Sequence, residues 1–402
     1  MLDIERVRAQ YPALREGYVH FDGAAGTLVA ARCADAIEGV VRGAVANRTT
    51  AFAAGRRATE IVVRAREAIA DLLGAVPSGV VFGSSTTSLT YLVARTLADT
   101  WRAGDGVVVS RLDHDANVRP WVQAAARVGA TVRWAEFEPS TGALPAAQYA
   151  DLVNDRTRLV AVTVASNAIG TRPDVAAIAR TAHASGALVY VDGVHGTPHA
   201  PTDVAALGAD FYVTSAYKWS GPHIAACAAA PQLWESLRPD KLMPSPDDIP
   251  ERFEHGTQSF ELLAGVAGAV DHLAALLDGD AGPESGNRRS RLIDALRAAQ
   301  AYEMDLFTEL VAGLAEMPGV TMCPAPPDRC PTVAFRVADE DPADTAAALG
   351  DEGICVYAGD YYAYEYFQAM GLRDSGGAVR ASVYHYTTRD DVSRLLDAVK
   401  KR

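Results

Sequence analysis

A lysine and an aspartate at the ends of two neighbouring predicted strands are the residues best placed to do chemistry. Residues 187–223 read ALVYVDGVHGTPHAPTDVAALGADFYVTSAYKWSGPH. A buried, β-branched run ends at Asp192, the DVAALGA stretch predicts a short helix, and a second apolar run ends at Lys218. Such a βαβ unit delivers side chains from the carboxyl ends of its strands into one crevice. An acid and an amine are therefore expected to share a site.

Lysine usage adds weight to Lys218. The chain has 37 basic residues, and only four of them are lysines, namely Lys218, Lys241, Lys400 and Lys401. A position that keeps lysine against this arginine bias needs an amine that can lose its proton, since arginine cannot. A partly desolvated lysine can form a Schiff base. The alternative is a lysine at a strand end that holds its ammonium in water.

The strand predicted at 80–82 leads into the next feature, a polar turn at the start of a helix. This turn places Ser85, Thr86 and Thr87 at the helix N-terminus, where unpaired N–H groups and the helix dipole favour a phosphate. Plain capping of the helix by serine and threonine is the alternative. Neither GxGxxG nor GxxxxGK[ST] occurs in the chain, which disfavours a nucleotide as the ligand.

Two more predicted strands, at 107–110 and 159–165, also end in polar residues. The first is followed by His114, whose ring either lies on a planar ligand or belongs to the surface. The second is followed by Asn167, which is either a ligand contact or a turn former. Together with Thr86, Asp192 and Lys218, these residues recur at strand ends, and this recurrence favours a single binding crevice.

Composition and charge argue against some classes of partner and indicate the cellular compartment. The chain has 402 residues, of which 49% are hydrophobic and 22% charged, as in ordinary globular proteins. A net charge of −13 argues against nucleic acid or an anionic membrane as the main partner. No apolar run approaches the length of a membrane span, and the N-terminal residues lack the apolar core of a signal peptide. The sequence therefore predicts a cytoplasmic protein.

The cysteines predict no disulfide framework and no metal site. Their number is odd and their spacing scattered, at Cys33, Cys227, Cys323, Cys330 and Cys355. Cys323 and Cys330 flank a proline-rich turn, but further zinc ligands are not nearby in the sequence. All five are expected to be reduced and mostly buried thiols.

The pattern of apolar runs predicts a large and a small domain. The expected parts are an N-terminal segment that packs with the small domain, a large ligand-binding domain, a linking helix, and a small α+β domain, at 1–20, 21–284, 285–317 and 318–402. In the small domain, strands are expected near 332–336 and 378–384.

The small domain contributes the candidate substrate contacts. Arg380 lies on a predicted strand, where its planar fork either binds a substrate carboxylate in a bidentate manner or forms a surface ion pair. The segment GICVYAGDYYAYEYF contains Tyr361 and Tyr362 among other tyrosines. Tyrosines so dense either pack in the core or form a half-exposed wall over a pocket.

A phosphate-binding helix N-terminus, a carboxylate, an imine-forming lysine and a stacking ring are what pyridoxal 5′-phosphate requires. Lys218 would hold the aldehyde of the cofactor as a Schiff base, and Asp192 would keep the pyridine nitrogen protonated. Lys218, once released, would move the Cα proton of an amino-acid substrate as general base and acid. Arg380 would hold the substrate carboxylate.

These motifs resemble the class V aminotransferase family of fold-type I pyridoxal phosphate enzymes, and within it the cysteine desulfurase-like branch. The resemblance implies an α/β fold with a mainly parallel central sheet, helices on both faces and a smaller α+β C-terminal domain. It extends over nearly the whole chain. The stretches that carry it are STTSLT, LDHDANVRPW, SNAIG, VDGVH, TSAYKWSGP, FEHGTQ and VRASVYHYTT.

The resemblance implies a role for each matching residue. Thr86, Thr87 and Ser215 would contact the phosphate, and His114 would lie on the cofactor ring. Asn167 and His195 would lie near the ring hydroxyl, with Asp192 at the pyridine nitrogen and Lys218 as the Schiff-base lysine. Tyr217 stands where the family often has histidine, which would alter the phosphate contacts. Thr257 would reach the phosphate of a neighbouring subunit, so that a homodimer is expected. Arg380 would bind the carboxylate of the substrate.

One departure from the desulfurase pattern concerns the nucleophile. Desulfurases carry a mobile cysteine in a G-x-H-C-A-like loop, whereas this chain has Tyr362 at the cysteine position. Cys355 lies seven residues upstream, on a predicted strand, where the alternation of the strand predicts that it faces the core. Without a positioned thiolate, sulfur cannot be taken up as a persulfide.

The sequence therefore predicts a pyridoxal phosphate enzyme that acts on an amino acid, by β-elimination from an S-substituted cysteine. Aminotransfer, epimerisation and decarboxylation-linked deamination remain alternatives within the same fold. A catalytically silent protein of this fold, acting as a binding module, is the alternative from a different class.

Overall fold

The computed structural model of the chain describes residues 2–278 and 287–402. In the first half the helices and strands are, in chain order, α1 (Ile4–Ala9), β1 (Val19–His20), α2 (Ala31–Val41), α3 (Ala53–Leu73), β2 (Val80–Gly83), α4 (Thr86–Ala98), β3 (Gly106–Ser110), α5 (Arg119–Val128), β4 (Thr131–Ala135), α6 (Tyr149–Leu152), β5 (Thr157–Thr163), α7 (Val175–Ala184) and β6 (Leu188–Asp192). The second half contains α8 (Val204–Leu207), β7 (Phe211–Ser215), β8 (Ala225–Ala229), α9 (Pro231–Ser236), α10 (Phe260–Ala274), α11 (Arg288–Ala315), β9 (Val320–Met322), β10 (Thr332–Val337), α12 (Pro342–Asp351), β11 (Ile354–Cys355), β12 (Tyr357–Gly359), α13 (Tyr364–Ala369), β13 (Ala378–Ser382) and α14 (Arg389–Lys400).

The central sheet has seven strands in the order β2-β8-β7-β6-β5-β3-β4. The strands from β3 to β7 pair in parallel, and β8 runs antiparallel to both of its neighbours. This arrangement confirms the predicted fold class, a mainly parallel α/β sheet. Parallel strands need covered faces, and the helices between them supply the cover.

Successive residues of each central strand face two different hydrophobic cores. In β6, Val189 and Val191 pack in a core with α3, α7 and α10, whereas Tyr190 packs in a core with α4 and α5. This division follows from the twofold side-chain period of a strand. Both faces of the sheet are therefore apolar, and polar side chains gather at the strand ends.

A second sheet of four antiparallel strands, in the order β12-β13-β10-β9, belongs to the C-terminal part of the chain. Its core includes residues of α11, α12 and α14. The N-terminal strand β1 pairs in parallel with β11, which joins the start of the chain to this region. The predicted boundary between the large domain and the linking helix, at 284/285, lies outside the described residues.

Three predicted boundaries differ from the structure. The strand predicted at 159–165 ends at Thr163, because the N–H of Ala165 donates to the threonine hydroxyl instead of to a neighbouring strand. The strand predicted at 378–384 ends at Ser382, and the N–H of Tyr384 donates to Thr387 Oγ1. The linking helix ends at Ala315, two residues before the predicted end. Side-chain hydrogen bonds to the backbone end both strands early, which the apolar pattern does not reveal.

Within 2–278 and 287–402, no helix combines the length and the apolar character needed to cross a lipid bilayer.

Candidate active site

The carboxyl ends of three parallel strands meet at one edge of the central sheet. Thr163 ends β5 directly opposite Asp192, which ends β6, and Lys218 follows β7 by three residues. These three residues line one cavity together with His114 and Asn167. The structure thus brings the acid and the amine into one crevice, as the βαβ pattern predicts.

Lys218 is buried at the floor of this cavity. Its ammonium donates a hydrogen bond to the carbonyl oxygen of Ala24. Burial, together with the nearby Arg380, lowers the pKa of the lysine to about 7, although Asp22 and Asp192 oppose the shift. A large fraction of the amine is therefore unprotonated near neutral pH, which is what imine formation requires.

Asp192 is buried at the end of β6. Its Oδ1 accepts a hydrogen bond of 2.9 Å from the N–H of Val194. Burial raises the pKa of Asp192 to about 6, while Val194 and Lys218 lower it. A carboxylate that is costly to ionise in this position is well suited to a cationic partner, which a protonated ring nitrogen would be.

His114 caps a short helical turn with its ring. Its Nδ1 accepts a hydrogen bond of 3.0 Å from the N–H of Ala116. Burial, followed by Lys218 and Arg380, lowers the pKa of His114 to about 4, so that the ring is neutral at neutral pH and carries its proton on Nε2. On one side it stacks against Tyr362, with ring centroids 5.5 Å apart and planes 23° apart. A flat, neutral ring at this position can cover a planar ligand.

The N-terminus of α4 combines capping with a second group of hydroxyls. Ser85 is the N-cap, and its hydroxyl accepts a hydrogen bond of 3.1 Å from the N–H of Ser88. Thr86 Oγ1 lies 2.7 Å from Ser215 Oγ, and Thr87 lines the cavity beside them. Ser85 thus caps the helix, and Thr86, Thr87 and Ser215 line the cavity that contains Lys218.

Asn167 and His195 line the same cavity as the N-terminus of α4. Asn167 Nδ2 donates a hydrogen bond of 2.8 Å to the carbonyl of Tyr361. His195 Nε2 lies 3.0 Å from Thr332 Oγ1, and burial lowers the pKa of this histidine well below its ordinary value. Both residues line the cavity, so Asn167 is more than a turn former.

Tyr217 precedes Lys218 and forms part of the cavity wall. Its ring is stacked on His223, with centroids 4.8 Å apart and planes 9° apart. The centroid of the same ring lies 5.1 Å from Lys218 Nζ. Tyr217 therefore shields the lysine, and burial raises the pKa of its phenol.

Arg380 is buried on β13 and does not form a surface ion pair. Nη1 donates a hydrogen bond of 2.9 Å to the carbonyl of Asn167, and Nη2 lies 3.4 Å from Asp22 Oδ1. The guanidinium also stands 4.5 Å above the ring of Tyr361. Among the described residues its Nε has no hydrogen-bond partner, which leaves a buried donor for a ligand.

The loop after β12 holds Tyr361 and Tyr362 in the left-handed region, with φ of 51° and 59°. Tyr361 is buried, and its hydroxyl donates to the carbonyl of Ala378. Tyr362 is 70% exposed, and its carbonyl accepts a hydrogen bond of 2.7 Å from the N–H of Asp115. Each of the two predicted alternatives is therefore found in one tyrosine: Tyr361 packs in the core, and Tyr362 forms an exposed wall.

Two predicted residues lie elsewhere. Thr257 is exposed and lines other cavities, with Glu254 and Gln258, rather than the one that contains Lys218. Cys355 is half-buried, so the prediction that it faces the core is wrong. In β11 it is the preceding residue, Ile354, that is buried. Burial nevertheless raises the pKa of the Cys355 thiol.

Asp22 and Ala24 are site residues that the sequence did not reveal. Both lie in the Gly-rich turn after β1, far in sequence from every strand end used above. The sequence offered one indication of this role, namely that Asp22 stands between a short strand and a glycine in HFDGAAGT. That pattern could not show that the turn reaches Lys218 and Arg380.

The model of the class-V aminotransferase family matches residues 19–281 and 291–395. This chain belongs to the class-V aminotransferase family.

Relatives of this family member include proteins named as desulfurases. An uncharacterized protein of Mycobacterium tuberculosis is 38% identical over 401 residues, which cover 99% of this chain and 98% of that protein. A probable cysteine desulfurase of Pseudomonas aeruginosa is 31% identical, over 98% of this chain and 97% of its own. The crystal structure of a cysteine desulfurase from Escherichia coli superposes with a TM-score of 0.87 at 28% identity, over 100% of this chain and 98% of the other.

The class-V family member is thus a pyridoxal phosphate-dependent enzyme, and its residues fit that cofactor. Among the described residues, Asn167 Oδ1 and Arg380 Nε are buried polar atoms without partners, and both residues line the space around Lys218. Buried groups of this kind are normally satisfied, so that a ligand is expected between them. Asp192 lines the adjoining cavity, which shares Lys218, His114 and Asn167 with this one, and its carboxylate would be a counter-ion for a ring nitrogen.

Proposed function

We propose that this class-V enzyme cleaves the Cβ–S bond of S-substituted cysteines by β-elimination. The observation that carries the proposal is the side chain at the loop position where the desulfurase motif has cysteine. That side chain is Tyr362, which lines the cavity above Lys218 and Arg380. No cysteine lines this cavity in the part of the chain that the structure describes.

The reaction balances without an external oxidant or reductant. The substrate and one water molecule give a thiol, pyruvate and ammonium. The Cα–H and Cβ–S bonds break, the electron pair of the Cβ–S bond leaves with sulfur, and the thiolate takes up a proton. The unsaturated amine that remains is hydrolysed by the water.

The residues of the cavity have separate tasks in this proposal. Pyridoxal phosphate supplies an electron sink that makes the Cα proton of the substrate acidic. Lys218, whose pKa is about 7, is suited to remove that proton at neutral pH. Arg380 offers Nε to the substrate carboxylate and so orients the Cα–H bond toward the lysine. His114, a neutral imidazole at neutral pH, would cover the cofactor ring.

The sulfur-accepting step of a desulfurase has no nucleophile here. A tyrosine phenol is ordinarily protonated at neutral pH and is a poor acceptor of sulfur. Cys355 is half-buried, and burial raises the pKa of its thiol, which disfavours the reactive thiolate. The sulfur is therefore expected to leave with its substituent as a free thiol.

A screen of S-substituted cysteines, with pyruvate, thiol and ammonium assayed separately, tests the proposal. We expect the three products in equal amounts, faster turnover with a good thiolate leaving group than with free cysteine, and no protein-bound persulfide. Cys355→Ala should retain turnover, whereas Arg380→Ala should lose most of it. Persulfide trapped on Cys355 would contradict the proposal. A keto acid with an intact side chain, formed with the pyridoxamine form of the cofactor, would show aminotransfer instead.

We also propose that the enzyme works as a homodimer with shared sites. The support is the position of Thr257, which is exposed and separated from the cavity of its own chain. The motif FEHGTQ resembles one whose threonine reaches the phosphate of a neighbouring subunit. A second copy of the chain would therefore complete each phosphate site.

A further inference from the structure

The cavity above Lys218 is larger than an amino-acid backbone requires. Its volume is about 520 Å³. We call the part of this cavity lined by the buried Lys218 and Arg380 the inner end, and the part lined by the exposed Tyr357 and Tyr362 the outer end. The inner end carries the groups assigned to the cofactor and the substrate carboxylate, so a substrate side chain would lie at the outer end.

The outer end of the cavity has exposed aromatic walls. Tyr362 is 70% exposed and Tyr357 48% exposed, and Tyr91 lines the same cavity. Large aromatic side chains that share one exposed concave surface are characteristic of binding sites. They bury apolar area when a second aromatic ring enters, and they prefer offset-stacked or edge-to-face contacts with it.

The charges at this end of the cavity cancel. Arg119 is the only basic residue of the outer wall in the described chain, and its Nη2 lies 2.6 Å from Asp115 Oδ1 and 2.7 Å from Glu365 Oε1. Glu365 also pairs with Arg111. Among the residues that the structure describes, the charged side chains Arg119, Asp115 and Glu365 are therefore already paired with one another, and none of them is left to receive a charged substituent.

The backbone of the loop that carries Tyr362 is held in place by hydrogen bonds within the protein. The carbonyl of Tyr361 accepts a hydrogen bond from Asn167 Nδ2, and that of Tyr362 accepts one from the N–H of Asp115. The N–H of Tyr362 donates to Asp360 Oδ1 at 3.1 Å. A preorganised wall loses little conformational entropy on binding, which favours affinity for a rigid ring.

We propose that the substrate substituent is an uncharged aromatic group, which binds between Tyr362, Tyr357 and Tyr91. This inference rests on the proposed function for the position of the sulfur, and it adds the chemical class of the group attached to it. The site discriminates against anionic substituents because Arg119 is already neutralised.

Equilibrium binding to the holoenzyme separates recognition from chemistry. Homophenylalanine has a neutral aromatic side chain and no leaving group on Cβ, and its titration by calorimetry or cofactor absorbance measures recognition alone. Alanine serves as the small reference and homoglutamate as an anionic one. We expect homophenylalanine to bind at least tenfold more tightly than either. A homoglutamate Kd equal to or below that of homophenylalanine would overturn the inference.

Substitutions of Tyr362 test where the aromatic ring of the ligand binds. Tyr362→Ala should weaken homophenylalanine binding by about tenfold and alanine binding by less than twofold. Tyr362→Phe should keep wild-type affinity. Tyr18→Ala, which removes a tyrosine that is 54% exposed outside this cavity, is the matched control and should change neither. Equal losses for both ligands in Tyr362→Ala would overturn the inference. So would a change in oligomeric state without a change in ligand preference, since Tyr362 would then contact a second copy.

The two proposals can fail separately. Tight homophenylalanine binding without elimination from S-benzylcysteine would contradict the β-elimination and leave the aromatic site intact. If elimination from S-methylcysteine is as efficient as from S-benzylcysteine, the aromatic site is contradicted and the β-elimination is supported.

Discussion

Lys218 and Asp192 show how burial prepares side chains for catalysis. Burial lowers the pKa of Lys218 to about 7 and raises that of Asp192 to about 6, so that both groups titrate near neutral pH. In water the ordinary values of a lysine and an aspartate are far apart. Each shift disfavours the charged form, which is the expected effect of a low-dielectric site.

We expect the cofactor to be attached to Lys218. Borohydride reduction of the holoenzyme followed by peptide mapping should find the pyridoxyl group on this residue, because its amine is buried and largely neutral. Lys241 is the natural comparison, since its ammonium lies 3.0 Å from Asp247 and is held in an ion pair. A label on Lys241 would overturn the assignment, and Lys218→Arg should take up no label.

Cofactor capture should depend on pH through Lys218. The folded pKa is depressed from 10.5 to about 7, so the amine is protonated below pH 7 and free above it. The rate of Schiff-base formation by the apoenzyme should therefore rise with pH through a midpoint near 7, as followed by stopped-flow absorbance. A midpoint near 10, which an exposed lysine would show, would mean that the amine is not desolvated.

At the scale of elements, the segment that carries Thr257 is fixed by a buried ion pair. Glu254 receives two hydrogen bonds of 2.8 Å from Arg66 of α3, and its Oε1 also accepts a hydrogen bond from the N–H of Phe82 in β2. One carboxylate thereby joins a helix, a strand and the segment before α10. Thr257 follows three residues later, so its position depends on this junction.

Glu254→Gln should destabilise the apoenzyme by about 3–5 kcal/mol, because it leaves the charge of Arg66 buried without its main partner. Urea unfolding at fixed protein concentration measures the change. Glu38→Gln is the matched control, since it breaks a surface ion pair with Arg42. The Arg42 side chain is 78% exposed and that of Glu38 57% exposed. Its cost should not exceed about 1 kcal/mol. Equal changes in the free energy of unfolding for the two substitutions would show that the buried pair stabilises the protein no more than the surface pair does.

At the scale of the whole molecule, a buried polar cluster joins distant parts of the chain. Glu303 of α11 lies 2.7 Å from His199 Nδ1 and 3.5 Å from His385 Nδ1. His385 Nε2 in turn lies 2.7 Å from the hydroxyl of Tyr11. The cluster connects the N-terminal segment, the central sheet region, the long helix α11 and the C-terminal region, and so couples their positions.

The proposed homodimer predicts complementation between two impaired variants. Thr257→Ala should weaken cofactor retention, and Lys218→Ala should abolish activity. Heterodimers of the two would contain one site with both wild-type residues, since each site takes Thr257 from the partner subunit. Activity after subunit exchange should therefore exceed the mean of the parents, as measured by turnover. An absence of recovery in well-exchanged heterodimers would contradict the role of Thr257 in trans.

Much of the site follows from sequence alone. Parallel strands place their carboxyl ends at one edge, and so the residues after each apolar run, such as His114, Asn167 and Asp192, had to meet. The retention of Lys218 among four lysines pointed to its chemistry. These inferences depend on the side-chain period of the strands and on where each strand ends, which local patterns encode.

Other features were decided only by the tertiary structure. Asp22 and Ala24 reach Lys218 because a turn of the N-terminal segment folds over the site, and no local pattern records such a long-range contact. The division between buried Tyr361 and exposed Tyr362 depends on two consecutive left-handed residues, which tertiary hydrogen bonds hold in place. Cys355 is half-buried, and the prediction that it faces the core failed because β11 has only two residues, which is too short for a reliable alternation. Sequence periodicity thus determined which residues lie at the strand ends, whereas contacts between distant segments decided which side chains face the substrate.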